Sequence, residues 1–372
     1  MRSQCEPVTG AVLFQSNEDV ISFVESVLTL ETDVSSLQDL HFASGALSAS
    51  AGRMITAFIL RYSSDLQIEH LRIDDAEAVF ASYPDLADVL ATVKTIKHLS
   101  LHAIGSHARR MLCNLSSPLI SADLSMVPFD DTDSVDVELL SALGEDDRGA
   151  LSRSPIDLLR GSQETLEMLT GQGCETLCDA EGWYSSRSYP HVRLVDLKDN
   201  DIPITIHYAY AFPNLCNLSI ETSHELLAGL GIIDWEGFFR VRKRNKVEQR
   251  QFGTWATIAW CRASLVDHFM LGLMCPVKTI CVVGPYMDPN MLFHVLKTTR
   301  PSSLLLEGFS ATDLCRGSLA KVLCGPYGVQ LSEVQYHIMV LRTDTKVPEM
   351  LVCALQLMNV EPHMNGIAGC FN

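Results

Sequence analysis

The sequence predicts an irregular α/β solenoid, with a parallel sheet on one face and helices on the other. Three observations predict it. A short apolar frame, large-x-x-large-x-large, recurs along the 372 residues. Most copies lie one strand-turn-helix unit apart, and segments of helical apolar period fill the gaps.

The copies, in order, are Leu37, Leu40 and Phe42, then Ile68, Leu71 and Ile73, then Ile96, Leu99 and Leu101, then Leu119, Ala122 and Leu124. Leu166 and Leu169 form a weaker one. Val192, Val195 and Leu197 follow, then Leu215, Leu218 and Ile220, then Val277, Ile280 and Val282, and finally Leu331, Val334 and Tyr336. An imperfect copy in PSSLLLEGF is expected to start at Leu304. First position to first position, the spacings are 31, 28, 23, 47, 26, 23, 62, 27 and 27. Seven of the nine lie near one leucine-rich-repeat length, 47 is close to twice it, and 62 implies an insertion or a degenerate repeat, assigned to residues 224–262. The last two apolar residues of each frame stand two apart, so a strand turns both to one side and the residues flanking the first of them to the other.

Helical stripes lie between the frames. Asn17 to Leu28 aligns Val20, Phe23, Val24, Val27 and Leu28; Pro289 to Thr298 aligns Met291, Leu292, Val295 and Leu296; Met350, Leu351, Ala354 and Leu355 repeat the device. One unit cannot bury its apolar strand face alone, whereas stacked units share a continuous core. The expectation is a single horseshoe-like leucine-rich-repeat solenoid over 1–372, interrupted by an acidic loop at 128–150 and by 224–262. A doubly wound α/β domain also alternates strand and helix, but its strands read as longer Val/Ile runs, without the polar residues interleaved here.

Composition narrows the function. With 47% hydrophobic and 20% charged residues a packed core is expected. The formal net charge of -17 opposes nucleic acid as a main partner. Glu6 and Pro7 stand where a secretory leader needs its apolar stretch, and only four apolar residues follow Gly10. The most apolar long window, Leu265 to Val283, contains Asp267, His268 and Lys278, so no membrane association is expected. The 12 cysteines are scattered without any Cys-x-x-Cys, Cys174 and Cys178 being the closest conspicuous pair. They read as small buried hydrophobes of a reducing compartment, which makes the expected location cytoplasmic and/or nuclear and leaves the sequons at Asn114 and Asn217 unmodified.

No motif for catalysis emerges. Gly229, Gly231 and Gly237 lack the spacing of a dinucleotide fingerprint. Ser318 and Lys321 satisfy Ser-x-x-Lys, a match short enough for chance. His98 and His102 lie on a strand, about 13 Å apart on the same side, too far to share a metal. His70 and His98 hold equivalent slots in successive frames, which places their rings about 5 Å apart if the strands pair in register. No catalytic residue, metal or cofactor is expected, and the chain is read as not an enzyme. Arg240, Arg242, Lys243, Arg244, Lys246 and Arg250 form a basic run. In it Arg242, Lys243, Arg244 and Lys246 have the cation density of a nuclear import signal, the plainer reading being a solvated helix face. Opposite in sign, Asp130, Asp131, Asp133, Asp136, Glu138, Glu145, Asp146 and Asp147 gather in the acidic loop, where they suit a basic partner.

The frame also locates a binding face. Pointing away from the core are Asp39 and His41, His70 and Arg72, His98 and Ser100, Ser121 and Asp123, Leu194 and Asp196, Asn217 and Ser219, Thr279 and Cys281, and Glu333 and Gln335. This mixed polar strip suits recognition of a target protein; a merely solvated face is the plainer alternative. The frames, with irregular helical spacers and Pro ahead of the strand in YPHVRLVDL and FPNLCNLSI, resemble the leucine-rich-repeat regions of F-box/LRR-like proteins abundant in mushroom-forming fungi. The resemblance runs from about Val34 to Tyr336. It implies the substrate-recognition part of a ubiquitin-ligase receptor, joined to a Skp-type adaptor where an F-box is present. Members open with an F-box near a Leu-Pro-x-Glu motif, which is not found before Asp19. Beside this stand a stand-alone or truncated repeat protein with no ligase role and, third, a doubly wound α/β enzyme.

Overall fold

The computed structural model describes residues 10–30, 34–127, 152–175, 187–200, 202–223, 227–228, 231–232, 234–284, 288–309, 317–338 and 369–370. The acidic loop at 128–150, the helical stripe at Met350, Gly229 and Cys178 lie outside them. The chain forms two compact units, Met1–Val192 and Arg193–Asn372.

In the first unit the strands are β1 (Ala11–Phe14), β2 (Asp39–Phe42), β3 (His70–Ile73), β4 (His98–Ile104), β5 (Ser121–Met126) and β6 (Met168–Gln172). Each is parallel to the next in sequence order. The helices are α1 (Asn17–Leu30), α2 (Ala49–Arg61), α3 (Ala76–Ser82), α4 (Pro84–Thr92), α5 (Ser106–Asn114) and the one-turn α6 (Pro155–Leu158). The frame dictates the register. Leu40, Leu71, Leu99, Ala122 and Leu169 form one line across the strands, and Phe42, Ile73, Leu101, Leu124 and Gly171 a second. Both lines are buried, as are Leu37, Ile68, Ile96, Leu119 and Leu166, which enter each strand. A leucine buried this way contributes about 1.5–3 kcal/mol.

The four apolar residues after Gly10 form β1, whose Phe14 pairs with Phe42 at a ring separation of 5.1 Å. Helix starts follow local chemistry: the Ser48 hydroxyl accepts from Ala51 N, and the Asp75 carboxylate from Ala78 N. Pro84 opens α4, where its missing N–H costs nothing.

In the second unit β7 (Leu194–Asn200), β8 (Asn217–Thr222), β9 (Ile258–Ser264), β10 (Val277–Val283), β11 (Ser303–Phe309), β12 (Glu333–Ile338) and the two-residue β13 (Gly369–Cys370) are again parallel in sequence order. The helices are α7 (Thr205–Ala211), α8 (Trp235–Phe252), α9 (Leu265–Leu271), α10 (Pro289–Thr299) and α11 (Gly317–Leu323). Val195, Leu218, Cys261, Ile280, Leu304 and Val334 share one line. The 62-residue gap therefore holds a complete strand, β9, whose frame is Ile258, Cys261 and Ala263. The gap divides into 43 residues from Leu215 to Ile258 and 19 from Ile258 to Val277. Leu304 occupies the second frame position, not the first; Pro301, buried, holds the first, so the last spacings are 24 and 30.

One backbone device recurs in both units. Ala103, Gly173, Asp199, Gly284 and Gly308 have φ of 52°, 64°, 50°, 95° and 75°. Each stands two residues beyond the third frame position of its strand. This left-handed residue turns the chain from sheet towards the following segment, and glycine fills three of the five places because it carries no Cβ penalty there.

Among the described residues no helix is long and apolar enough to cross a membrane.

Candidate protein-binding face

The parallel register of the first unit arranges the outward side chains in two rows. One reads Asp39, His70, His98, Ser121, Met168; the other His41, Arg72, Ser100, Asp123, Thr170. Neighbours are tied strand to strand. His70 Nδ1 lies 2.5 Å from Asp39 Oδ1, its ring meets His98 edge to face at 4.6 Å between centroids, and His98 Nδ1 lies 2.8 Å from Ser121 Oγ. In the second row, Asp74 at the end of β3 accepts from Arg72 Nε at 2.8 Å and lies 3.0 Å from His41 Nε2. Ser100 Oγ donates to Asp123 Oδ2 at 3.4 Å, and His102 Nε2 is 3.5 Å from the same oxygen. Lys97 Nζ donates to Glu69 Oε1 at 2.6 Å across β3 and β4.

Electrostatics follow from these contacts. Burial, then the neighbouring His70, pushes the His98 pKa below its ordinary value. Burial opposes ionisation of Asp74, yet the hydrogen bonds from Arg72 and His41 outweigh it and hold its carboxyl below the usual range. The Lys97 bond does the same for half-buried Glu69. Ser100, His102 and Asp123 come together, with Ser100 Oγ 3.3 Å from His102 Nε2, but Asp123 lies against that same ring nitrogen and not against Nδ1, so the carboxylate does not orient the imidazole as a base for the hydroxyl. Exposed Leu13 on β1 and Met168 on β6 flank them with apolar contact area. Leu13 stands outside the frame because its strand lacks the first apolar position, whereas Met168 flanks Leu169 of the weaker copy.

In the second unit, Leu194, Asp196, Asn217, Thr279, Glu333 and Gln335 are half-buried outward residues. Ser219 and Cys281 are a correction: both are buried. Arg262 Nε on β9 donates to Glu307 Oε2 on β11 at 3.4 Å, an ion pair that spans β10 where Cys281 stands. Burial, then the Glu307 carboxylate, pushes the Cys281 thiol up to about 12. Trp260 and Arg262 belong to this face as well and went unseen because β9 was not recognised.

The import-signal residues do not form one exposed string. Lys243 and Arg244 are exposed and Lys246 is half-buried, but Arg242 is 4% exposed. Arg242 Nη1 donates to Phe269 O at 2.7 Å and Nη2 to His294 O at 3.0 Å, and the guanidinium lies 4.6 Å over the Phe269 ring. Its side of α8 continues with buried Asn245, whose Nδ2 donates to Pro203 O and Met270 O, and Gln249, which donates to Leu271 O and Gly272 O.

One buried Cys–His pair invites a catalytic reading. His268 Nε2 donates to Cys281 O at 2.9 Å, leaving Nδ1 as the acceptor facing Cys261 Sγ at 3.8 Å. Burial pushes the imidazole down to about 4 and the Cys261 thiol upwards, so both stay neutral and no thiolate forms. Among the described residues no group of three or more His, Cys, Asp or Glu is placed to hold a metal ion.

Comparison with known proteins finds no protein-family model that matches the chain and no curated protein that matches it.

Proposed function

We propose that the chain is a protein-recognition scaffold, each unit a stretch of irregular leucine-rich-repeat solenoid whose open sheet face reads a partner protein. We further propose that it serves as the substrate-recognition part of an F-box-like ubiquitin-ligase receptor. The observation that carries the first reading is the pair of in-register outward rows on β2 to β5. Strands about 4.8 Å apart hold these side chains at fixed intervals, and their mutual hydrogen bonds order them before a partner arrives, which lowers the entropic cost of association. A mixed-charge surface with apolar ends matches the make-up of protein interfaces.

A photo-crosslinking residue at Ser100, in the full chain produced in cells, tests this. The expected result is capture of a discrete polypeptide from Ser100, lost on Arg72→Ala and absent when the crosslinker replaces Glu25 on α1. Equal capture from both positions overturns the sheet-face reading. Direct binding of the purified chain to a Skp-type adaptor tests the ligase role separately; no complex means a repeat protein acting outside a ligase.

A further inference from the structure

A second surface lies on α8, away from the sheet. Arg242, Asn245 and Gln249 fasten one side of this 18-residue helix to the rest of its unit. The remaining circumference is unusual in two respects. Phe239 and Val247 are 45% and 49% exposed, with Trp235 and Phe252 at 41% and 40% near the ends. Trp235 and Phe239 rest partly on Phe269, with ring centroids at 5.0 and 6.4 Å, and Phe239 and Val247 leave apolar area open two turns apart on one side of the helix.

The second feature is charge. Arg240, Lys243, Arg244 and Arg250 are exposed and Lys246 is half-buried, with exposed Lys297 of α10 nearby. Among the described residues only Arg244 of these six has an ion pair, with Glu248 Oε1 at 3.0 Å. Asp234 is engaged as the N-cap, accepting from Gly237 N at 2.8 Å, so Glu236 is the one further acid on the helix. Burial first, then the neighbouring charges of Arg242, Arg250 and Lys297, pushes the Lys246 pKa below its ordinary value. In a chain of formal net charge -17 this is a local reversal of sign.

Helical spacing merges the two features. Phe239, Lys243 and Val247 follow at i, i+4 and i+8, and Lys243, Lys246 and Arg250 run alongside at i, i+3 and i+7. Arg240, Lys243, Arg244, Val247 and Glu248 line a shallow open depression on this side. We propose that the outer face of α8 is a docking surface for a carboxylate-rich amphipathic helical segment of a partner protein. Acidic side chains of the segment neutralise the unpaired cations while its apolar residues cover Phe239 and Val247. Nucleic acid fits less well: the overall negative field repels a dense polyanion, and the Trp235 and Phe239 rings are already engaged with Phe269. The surface is independent of the sheet-face reading and stands or falls without it.

The test uses the purified full chain and a fluorescent 18-residue peptide with glutamates on one helical face and leucines on the other. A peptide with glutamine in place of each glutamate and a single-stranded oligonucleotide complete the set. The expected result is saturable, salt-weakened binding of the glutamate peptide, at least tenfold tighter than the glutamine peptide. Lys243→Glu with Arg250→Glu should abolish it, and Phe239→Ala with Val247→Ala should weaken it at least fivefold. All four positions are exposed, and an unchanged melting temperature shows that the variants remain folded. No saturable binding of the glutamate peptide overturns the proposal. So does loss limited to the charge variants, and so does oligonucleotide binding of equal or greater affinity that ignores the Phe239 and Val247 changes, which assigns the face to nucleic acid.

Discussion

Glu77 of one repeat caps the helix of the next, at His107. Its carboxylate accepts from the backbone N–H of His107 at 3.1 Å and of Ala108 at 3.2 Å, and one oxygen lies 2.8 Å from His107 Nδ1. The N-cap residue of α5, Gly105, has no side chain to do this, so a neighbouring unit supplies the acceptor that helix ends require. Burial opposes the charge, but the His107 ring bond and the two backbone bonds outweigh it and hold the Glu77 carboxyl below its ordinary value.

Glu77→Ala should therefore cost about 1–2 kcal/mol in urea unfolding, and Glu77→Gln roughly half of that, since one amide oxygen still accepts. A folded-state pKa below the unfolded one places this stabilisation above the unfolded carboxyl pKa and removes it as pH falls through the folded one. The gap between wild type and Glu77→Gln should accordingly narrow on acidification. A constant gap would mean that the charge plays no part.

Arg242→Met is expected to lower stability by about 2–4 kcal/mol, because it removes the guanidinium bonds to Phe269 O and to His294 O, the latter keeping Thr298 Oγ1 as a donor. Arg242→Lys should recover little of this: a lysine ammonium lacks the planar fork that reaches two carbonyls at once. Burial pushes the Arg242 pKa down to about 10, still charged at neutral pH. Thermal unfolding of both variants checks the order, and full rescue by lysine would show that charge alone matters.

His268 sets an acid limit. Its pKa falls from an ordinary 6.5 to about 4 in the folded chain, so between those values the unfolded state binds more protons. Stability from this residue is complete above about 6.5 and declines as pH drops towards 4, by on the order of 3 kcal/mol. His268→Gln keeps a donor for Cys281 O without a titrating ring. Its unfolding free energy should change less between pH 7 and pH 4 than that of the wild type, and parallel curves would remove the assignment.

The strand exits offer a pair of opposed substitutions. Gly284→Ala meets no heavy atom within 4 Å, so its cost of about 1 kcal/mol is purely that of a side chain at φ 95°. Ala103→Gly, at φ 52°, relieves the same penalty but loosens the unfolded chain, and should fall within about 1 kcal/mol on the stabilising side. Chemical denaturation of the two variants reads both signs.

Strand pairing was legible wherever large apolar residues held all three frame positions. Leu71 stands beside Leu99, and Val195 beside Leu218, as the spacing requires. Thr9 stands where β1 would need its first large residue, and in β9 the inward residues are Cys261 and Ala263, too small to register as a frame. Pro301 disguised the start of β11. On the outward face, the His70–His98 contact could be anticipated because both residues hold the same slot. The burial of Cys281 could not, since it depends on Arg262 meeting Glu307, 45 residues away. Nor does anything in a basic run single out Arg242; the carbonyls that draw it inwards belong to α9 and α10.

The segments on either side of β9 differ more than twofold in length, yet its register with β8 and β10 is unbroken. Such a sheet counts strands, not residues, and extra polypeptide is accommodated between strands without moving any of them. A lineage carrying this architecture is thus free to lengthen, recharge or replace a connecting helix such as α8 while its strand faces keep their alignment, so two surfaces on one unit can diversify at separate rates.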